Sequence, residues 1–516
     1  MKGIVSEKTK LRHKVFTEVA RFAYEGGGPG VLDELPYRIV TGKEDPFRDS
    51  IFLERAIAGE RVRVAMGMSL RPINEHAPTS KGVDESMIAE KYYEPPLIDI
   101  IRFACNSCPD NRVYITDGCQ GCLEHPCKEV CPKKCISLNH RHGRAEIDQS
   151  ACIKCGRCMQ ACQYSAIIKQ ERPCVKACGL GAIGEDEFGH AMIDQEKCVS
   201  CGMCLNSCPF AAIVDKGQIY QTIQALKSDT PVYAIVAPAI AGQFGKALTD
   251  TRMKSAFGKL GFEDVFEVAI GADLCTIEEA EHFVREVPEK LPFMCTSCCP
   301  AWSIMAKKEF PEYADTVSMA LTPMVLTARL VKKQHPDCKI AFIGPCLSKK
   351  HEASRHTVKS YVDFVLTFEE LAGMFEAKNV DFSEIEEGEP LRKASSDGFG
   401  FAVSGGVAQA VVNQVKRIDP DREMKTVRAE GLAECVKMMK KAANGEYNGY
   451  LLEGMACPGG CIAGAGTMLP MNKAAYSVSV AMKEAPVQNA AGSRYADLLP
   501  ALEHIQEELK KDKENN

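Results

Sequence analysis

CVSCGMCLNSCP, residues 198–209, decides how this chain is read. Its spacing is C-x2-C-x2-C-x3-C-P. Three thiols at that interval wrap a tight turn around one four-iron cube, and the fourth reaches a neighbouring cube. Thiolate is a soft donor suited to iron–sulfur. Zinc, the competing thiolate metal, prefers separated C-x2-C pairs. CIKCGRCMQAC (152–162) repeats the run, with Gln163 in the place of the proline. Two copies of a three-thiol run point to clusters in a row, and so to electron transfer.

Two less regular motifs lie around these. CQGCLEHPCKEVCP (119–132) is C-x2-C-x4-C-x3-C-P and resembles the iron–sulfur subunits of multi-cluster oxidoreductases. PCVKACGLGAI (173–183) looks like the closing half of another motif, with CNSC (105–108) as its opening. On a nested reading the inner pair of sites joins Cys119, Cys122, Cys127 with Cys162, and Cys152, Cys155, Cys158 with Cys131. The outer pair joins Cys105, Cys108, Cys174 with Cys208, and Cys198, Cys201, Cys204 with Cys178. This uses 16 of the 17 cysteines between Cys105 and Cys208 and leaves Cys135 over. Two to four accessory 4Fe–4S clusters are expected.

The bulk numbers frame the rest. At 516 residues the chain can build two or three domains. Hydrophobic content of 45% and charged content of 26% are ordinary for a globular protein. A net charge of −6 leaves no electrostatic footprint for nucleic acid or an anionic membrane. The longest apolar runs, such as VYAIVAPAIAG (232–242), are strand-sized, and MKGIVSEKTKLRHKVF lacks the apolar stretch of a signal peptide. A cytoplasmic location is expected, without a nucleic-acid or membrane partner. The 26 cysteines are then read as reduced metal ligands, not disulfides.

Texture divides the chain in three. Residues 1–100 read as a mixed, mostly helical lead segment of unknown role, with HKVFTEVARFAY (13–24) and IFLERAIAGERVRVAMGM (51–68) at helical spacing. Packing or partner contact is its default role. Residues 101–218 form the cysteine-dense, ferredoxin-like region. From 219 to 516, strand-like VYAIVAP (232–238), KIAFIGP (339–345), YVDFVLTF (361–368) and GYLLEG (449–454) alternate with helix-like TIEEAEHFVREV (276–287) and ECVKMMKKAA (434–443). The expected architecture is a two-lobed α/β catalytic domain of strand–loop–helix units, preceded by an α+β ferredoxin-like iron–sulfur domain. The tail, EELKKDKENN (507–516), reads as a fraying helix end.

Three cysteine loops lie in the last region: TSCCPAW (296–302), GPCLSKKHE (344–352) and EGMACPGGCIAG (453–464). Together, and in this order, they resemble the signature segments of the FeFe hydrogenases over roughly residues 100–490. The resemblance implies that Cys299, Cys346, Cys457 and Cys461 hold a catalytic cubane. Cys461 would bridge to a di-iron subsite carrying CO, cyanide and an azadithiolate, the whole being the H-cluster. It leaves Cys298 unligated, to pass protons to the azadithiolate amine, a task that suits a thiol. Lys349 would face a cyanide and Met455 the bridging CO, while Trp302 either covers the loop or is an ordinary core aromatic. Cys295 has no implied role and reads as a small buried hydrophobe.

The family's proton route carries over to Glu279 in ADLCTIEEAEH (272–282) and Ser318 in VSMALTP (317–323), with His282 where a second glutamate is expected. A bland reading makes Glu279 a solvent-facing helix residue. By the same resemblance, Pro238, Ala239 and Gly344 would be the cofactor-contacting positions. Well-known members have serine where Ala239 stands, methionine where Gly344 stands and glutamine near Met324, so a divergent branch with altered potential, oxygen sensitivity or bias is implied. SGGVAQA (404–410) is a weak glycine turn, and no NAD-binding fingerprint appears. The function implied is 2H⁺ + 2e⁻ ⇌ H₂ in an anaerobic cytoplasm, with ferredoxin or a similar low-potential carrier and with H-cluster maturation proteins as partners. Alternatives are a hydrogen sensor of low turnover, or a non-catalytic iron–sulfur assembly or electron-transfer protein. Assembly relatives lose the proton-relay cysteine and the cyanide-facing lysine, whereas Cys298, Lys349 and Met455 are present here.

Overall fold

Residues 232–236, VYAIV, are apolar at every position, as a strand covered on both faces must be. In the computed structural model, which describes residues 6–43, 48, 50–109, 111–139, 141–355 and 359–502, all five are buried. The strands of the C-terminal region are β1 (Val232–Val236), β2 (Val265–Glu267), β3 (Met294–Cys295), β4 (Lys339–Ile343), β5 (Phe364–Leu366), β6 (Lys425–Glu430) and β7 (Tyr450–Met455). They form two separate parallel sheets, in the orders β2-β1-β4-β5 and β3-β7-β6. Each sheet anchors one lobe. Helices join successive strands, as parallel pairing requires.

The cysteine-dense region is built from short antiparallel pairs, and its nesting is visible in them. Arg112–Ile115 pairs with Ile167–Gln170 to close an inner unit, while Ile98–Ile100 pairs with Ile213–Asp215 to close an outer one around it. The outer unit thus begins a few residues ahead of the first cysteine. This α+β region of paired strands and one-turn helices precedes the α/β region, which is the architecture expected from the sequence.

Three lead helices, α1 (Glu7–Glu25), α2 (Pro29–Ile39) and α3 (Ile51–Ala65), do not form a core of their own. Val15, Phe16, Val19 and Leu32 join the core around β1, whereas Ile57 and Val64 of α3 join the core of the outer iron–sulfur unit. The lead segment therefore bridges the two regions. A buried ion network reinforces the bridge: Lys350 lies 2.9 Å from Asp215 and 3.1 Å from Glu370, and Arg12 lies 3.4 Å from Asp215 and 2.8 Å from Glu369. Burial alone would push the Asp215 carboxyl up, but Lys350 and Arg12 hold it below the ordinary range. Lys8 donates to the carbonyls of Leu205, Asn206 and Cys208, and Arg61 to that of Ala211.

Among the described residues no helix is long and apolar enough to cross a membrane. The 507–516 tail lies outside the described residues.

Candidate functional site

Open parallel sheets gather functional loops at the carboxyl ends of their strands. Here β1 runs into Pro238 and β4 into Cys346 from one lobe, and β3 runs into Cys298 and Cys299 and β7 into Cys457 from the other. The four loops meet around a cavity of ≈ 80 Å³ whose lining includes Cys298, Cys299, Cys346, Cys457, Cys461, Lys349 and Met455. Pro238, Ala239 and Met324 also face it. A larger groove of ≈ 900 Å³ opens beside the Ala237–Pro238 turn, but its lining holds no thiol, so the chemistry belongs to the small cavity.

Gly344 requires a correction. It does not line the cavity, and a Cβ there would stand 2.5 Å from the Phe342 ring. Phe342 faces the cavity instead, filling from two residues earlier the space that a side chain at 344 would occupy. Trp302 does not line the cavity either. Its ring lies where a Cβ on Gly454 would fall, 2.2 Å away, and its indole N–H donates to the Thr296 carbonyl at 3.1 Å. It pins the cysteine loop from behind. Cys295 is fully buried, with its sulfur 3.7 Å from that of Met439.

Burial pushes the thiols of Cys346 and Cys461 up to about 12 and that of Cys457 well above its usual value. Neutral thiols shut in such a pocket become thiolates only when a metal takes the proton's place. The backbone approaches closely: a Cβ on Gly460 (φ +91°) would stand 2.7 Å from the Ser404 nitrogen, and one on Gly464 2.7 Å from the Pro345 carbonyl. Donor set, apolar surround and glycine approach all fit an iron–sulfur group.

Cys298 faces the cavity with Glu279 near it. Glu279 sits on α4 (Val268–Glu286), fully buried, so the solvent-facing reading is wrong. Its Oε1 accepts the Ser297 backbone N–H at 2.8 Å and the Ser297 hydroxyl at 3.1 Å. Burial raises the Glu279 carboxyl to about 7, against the lowering pull of Ser297 and of the nearby Ser318 hydroxyl. Oε2 has no hydrogen bond of ordinary geometry. Burial, and then the charge of Glu279, push the Cys298 thiol well above its usual value. Half-buried His282 lies one turn further along α4, held below its ordinary value by burial and by Arg285. Ser297 was not singled out from sequence, although it directly precedes the paired cysteines. Glu352 was also missed. It lies three residues after Lys349 in the same helix and binds the Lys349 ammonium at 2.6 Å. Burial works against that charge, but Glu352 holds the Lys349 pKa above its usual value.

The cysteine-dense region brings together the four thiol sets that were read from spacing. Cys105, Cys108, Cys174 and Cys208 line one pocket. Cys127 feels the charges of Cys122, Cys162 and Cys119. Cys204 feels those of Cys201, Cys198 and Cys178. Cys131, Cys152, Cys155 and Cys158 line a further pocket, and Cys135 lines it with them. The set around Cys201 abuts the cysteine-lined cavity, since Cys201 is part of the cavity wall. A Cβ on Gly202 (φ +77°) would meet Leu347 at 2.6 Å and Ala465 at 2.7 Å, so the two regions touch through bare backbone.

Fold and site define an iron–sulfur protein in which a chain of thiol sets leads to a cysteine-walled cavity between two parallel-sheet lobes. Residues 230–465 match the C-terminal domain of the iron-only hydrogenase large subunit, and residues 145–168 and 191–214 match the 4Fe–4S binding domain. The periplasmic iron hydrogenase large subunit of Nitratidesulfovibrio vulgaris is 30% identical, the match covering 45% of this chain and 68% of that one. The chain belongs to the iron-only hydrogenase family and binds iron–sulfur clusters. Iron hydrogenase 1 of Clostridium pasteurianum is 28% identical over 72% of this chain and 73% of its own length. The cytosolic iron-sulfur assembly component 3 of Bos taurus is also 28% identical, over 45% of this chain and 60% of its own. An FeFe-hydrogenase structure from Chlamydomonas reinhardtii aligns with a TM-score of 0.46 at 23% identity, covering 55% of this chain and 93% of that one.

Proposed function

We propose that the protein is a hydrogenase that interconverts protons, electrons and H₂ at an H-cluster held by Cys299, Cys346, Cys457 and Cys461. The observation that carries the reading is the company these thiols keep. A fifth, Cys298, faces the same cavity beside a buried carboxyl whose pKa lies near neutrality. A site that only stored a cubane would have no use for a proton-carrying pair at its wall.

When bound, the group supplies the metal-centred chemistry of H₂ formation and cleavage. The chain's own residues do the rest. Cys298 holds and hands over a proton, and Glu279, raised to about 7, exchanges it readily at neutral pH. Ser297 orients that carboxyl from the cysteine loop itself, and Ser318 continues the route outward. Lys349, steadied by Glu352, presents a fixed cation to an anionic metal ligand, and Met455 and Phe342 keep water out. The accessory thiol sets would hold clusters that supply electron transfer, with the set around Cys201 nearest the cavity. A low-potential carrier such as ferredoxin docks on the inner unit, where Leu123, Ile153 and Tyr164 are exposed. Maturation proteins are required partners.

The relatives also include iron–sulfur assembly components, so the second reading is a non-catalytic one. Presence of Cys298, Lys349 and Met455 favours catalysis. Infrared spectra of protein purified anaerobically from a host with the maturation proteins test it. Bands of iron-bound CO and cyanide are expected. Their absence, with cubanes loaded and maturation working on a control, would favour assembly or electron transfer.

A further inference from the structure

Four turns of the iron–sulfur region share one backbone. Each starts at the last cysteine of a motif and ends on the isoleucine that opens a strand: Cys131 to Ile136, Cys162 to Ile167, Cys178 to Ile183 and Cys208 to Ile213. In each, the third residue after the cysteine returns its N–H to the cysteine carbonyl, at 3.1 Å for Lys134 and Ser165 and 3.4 Å for Gly181 and Ala211. Those four residues all have positive φ, between 49° and 61°. The next residue is buried in every case. Three times it is alanine, at Ala166, Ala182 and Ala212; the fourth time it is Cys135.

A methyl group therefore satisfies this position wherever packing alone is asked of it. Cys135 adds a sulfur, and that sulfur lies 3.4 Å from the Cys131 sulfur. It also lines the pocket ringed by Cys131, Cys152, Cys155 and Cys158. One cube thus has five thiols within reach, where each sister site has four. We propose that Cys135 is an alternate fourth ligand of the cluster held by Cys152, Cys155 and Cys158, interchangeable with Cys131. In the exchange the iron–sulfur bond to Cys131 breaks and that to Cys135 forms. The Cys135 proton passes to the departing Cys131 thiolate, and the electron count of the cube is unchanged. Cys155 is exposed, so this cluster lies close to solvent and is vulnerable to oxidation of a ligand. A spare thiol lets the cube survive the loss of the partly exposed Cys131 sulfur.

The inference rests on the iron–sulfur reading of the region and not on hydrogen chemistry, so its test needs no turnover. The whole chain is reconstituted anaerobically as Cys131→Ala, Cys135→Ala, the double variant and Cys162→Ala. Iron and sulfide per chain are measured, with EPR of the oxidised and reduced protein. Cys131→Ala should keep the full iron content with altered g values, and Cys135→Ala, which only restores the sister residue, should keep it unaltered. The double variant should lose a cube or drop to a 3Fe–4S cluster, as should Cys162→Ala, whose turn has no spare thiol. Conversion of Cys131→Ala alone to 3Fe–4S would overturn the proposal, as would full loading of the double variant. Full loading of Cys162→Ala would instead overturn the ligand assignment beneath it.

Discussion

Glu279→Gln separates the buried carboxyl's charge from its shape. Glu279 has a folded pKa of about 7 against 4.5 when exposed, because burial disfavours its anion. The gap of 2.5 units is worth about 3 kcal/mol at 1.36 kcal/mol per unit. Its sign follows from proton uptake on folding. Between pH 4.5 and 7 the unfolded chain has lost this proton and the folded chain still holds it. Stability therefore falls as pH rises through that window and is flat, in this respect, above 7. Glutamine keeps the acceptor for the Ser297 N–H but cannot ionise. The variant's stability relative to the parent should then grow by about 3 kcal/mol from pH 4.5 to 8. Glu267 and Asp273, raised by burial to about 8 and about 7, add the same background to both proteins and cancel. Trp302 is the one tryptophan and is bonded to Thr296, next to Ser297, so its emission reports the unfolding of this loop. Parallel stability curves for the two proteins would mean that Glu279 is ionised at neutral pH, and the argument for an exchanging carboxyl would fail. Turnover of the loaded variant should fall by about 10²- to 10⁴-fold with unchanged iron content.

Cys298→Ser should abolish hydrogen turnover and leave every cluster in place; full activity by gas chromatography would place the proton route elsewhere. Lys350→Met strands Glu370 in the interior and leaves Asp215 with Arg12 alone, at a cost of about 3–5 kcal/mol in anaerobic denaturant melts. An unchanged midpoint would show that the network is dispensable. Gly202→Ala forces a Cβ into Leu347 at a positive φ. It should lower stability by roughly 1–3 kcal/mol and slow reduction of the cubane proposed for the Cys299–Cys461 cavity in stopped-flow spectra.

The local chemistry was legible in the sequence. C-x2-C-x2-C names its own metal because ligands a few residues apart sit on one turn whatever the rest of the chain does. The apolar runs at 232–236 and 340–343 likewise identify buried parallel strands, since only covered faces tolerate them. Resemblance placed Cys298, Lys349 and Glu279. What no spacing could supply was proximity across the chain. That Phe342 and not Gly344 meets the cavity depends on which way a ring turns off β4. That Ser297 braces Glu279 depends on two lobes closing together, whereas Glu352 braces Lys349 from three residues along the same helix, a pairing that local spacing alone allows. The lead helices, given no role by the sequence, fasten the cysteine-dense region to the first α/β lobe through Lys8, Arg12 and Arg61, because such charges find their partners only after folding. By itself the sequence determined which atoms can bind iron and which segments must be covered, both being properties of short stretches. Only the tertiary structure decided that loops from two lobes set Cys298, Cys299, Cys346, Cys457 and Cys461 around one cavity, because long-range contact brings them together, and that the local turn after Cys131 aims the Cys135 sulfur at that of Cys131.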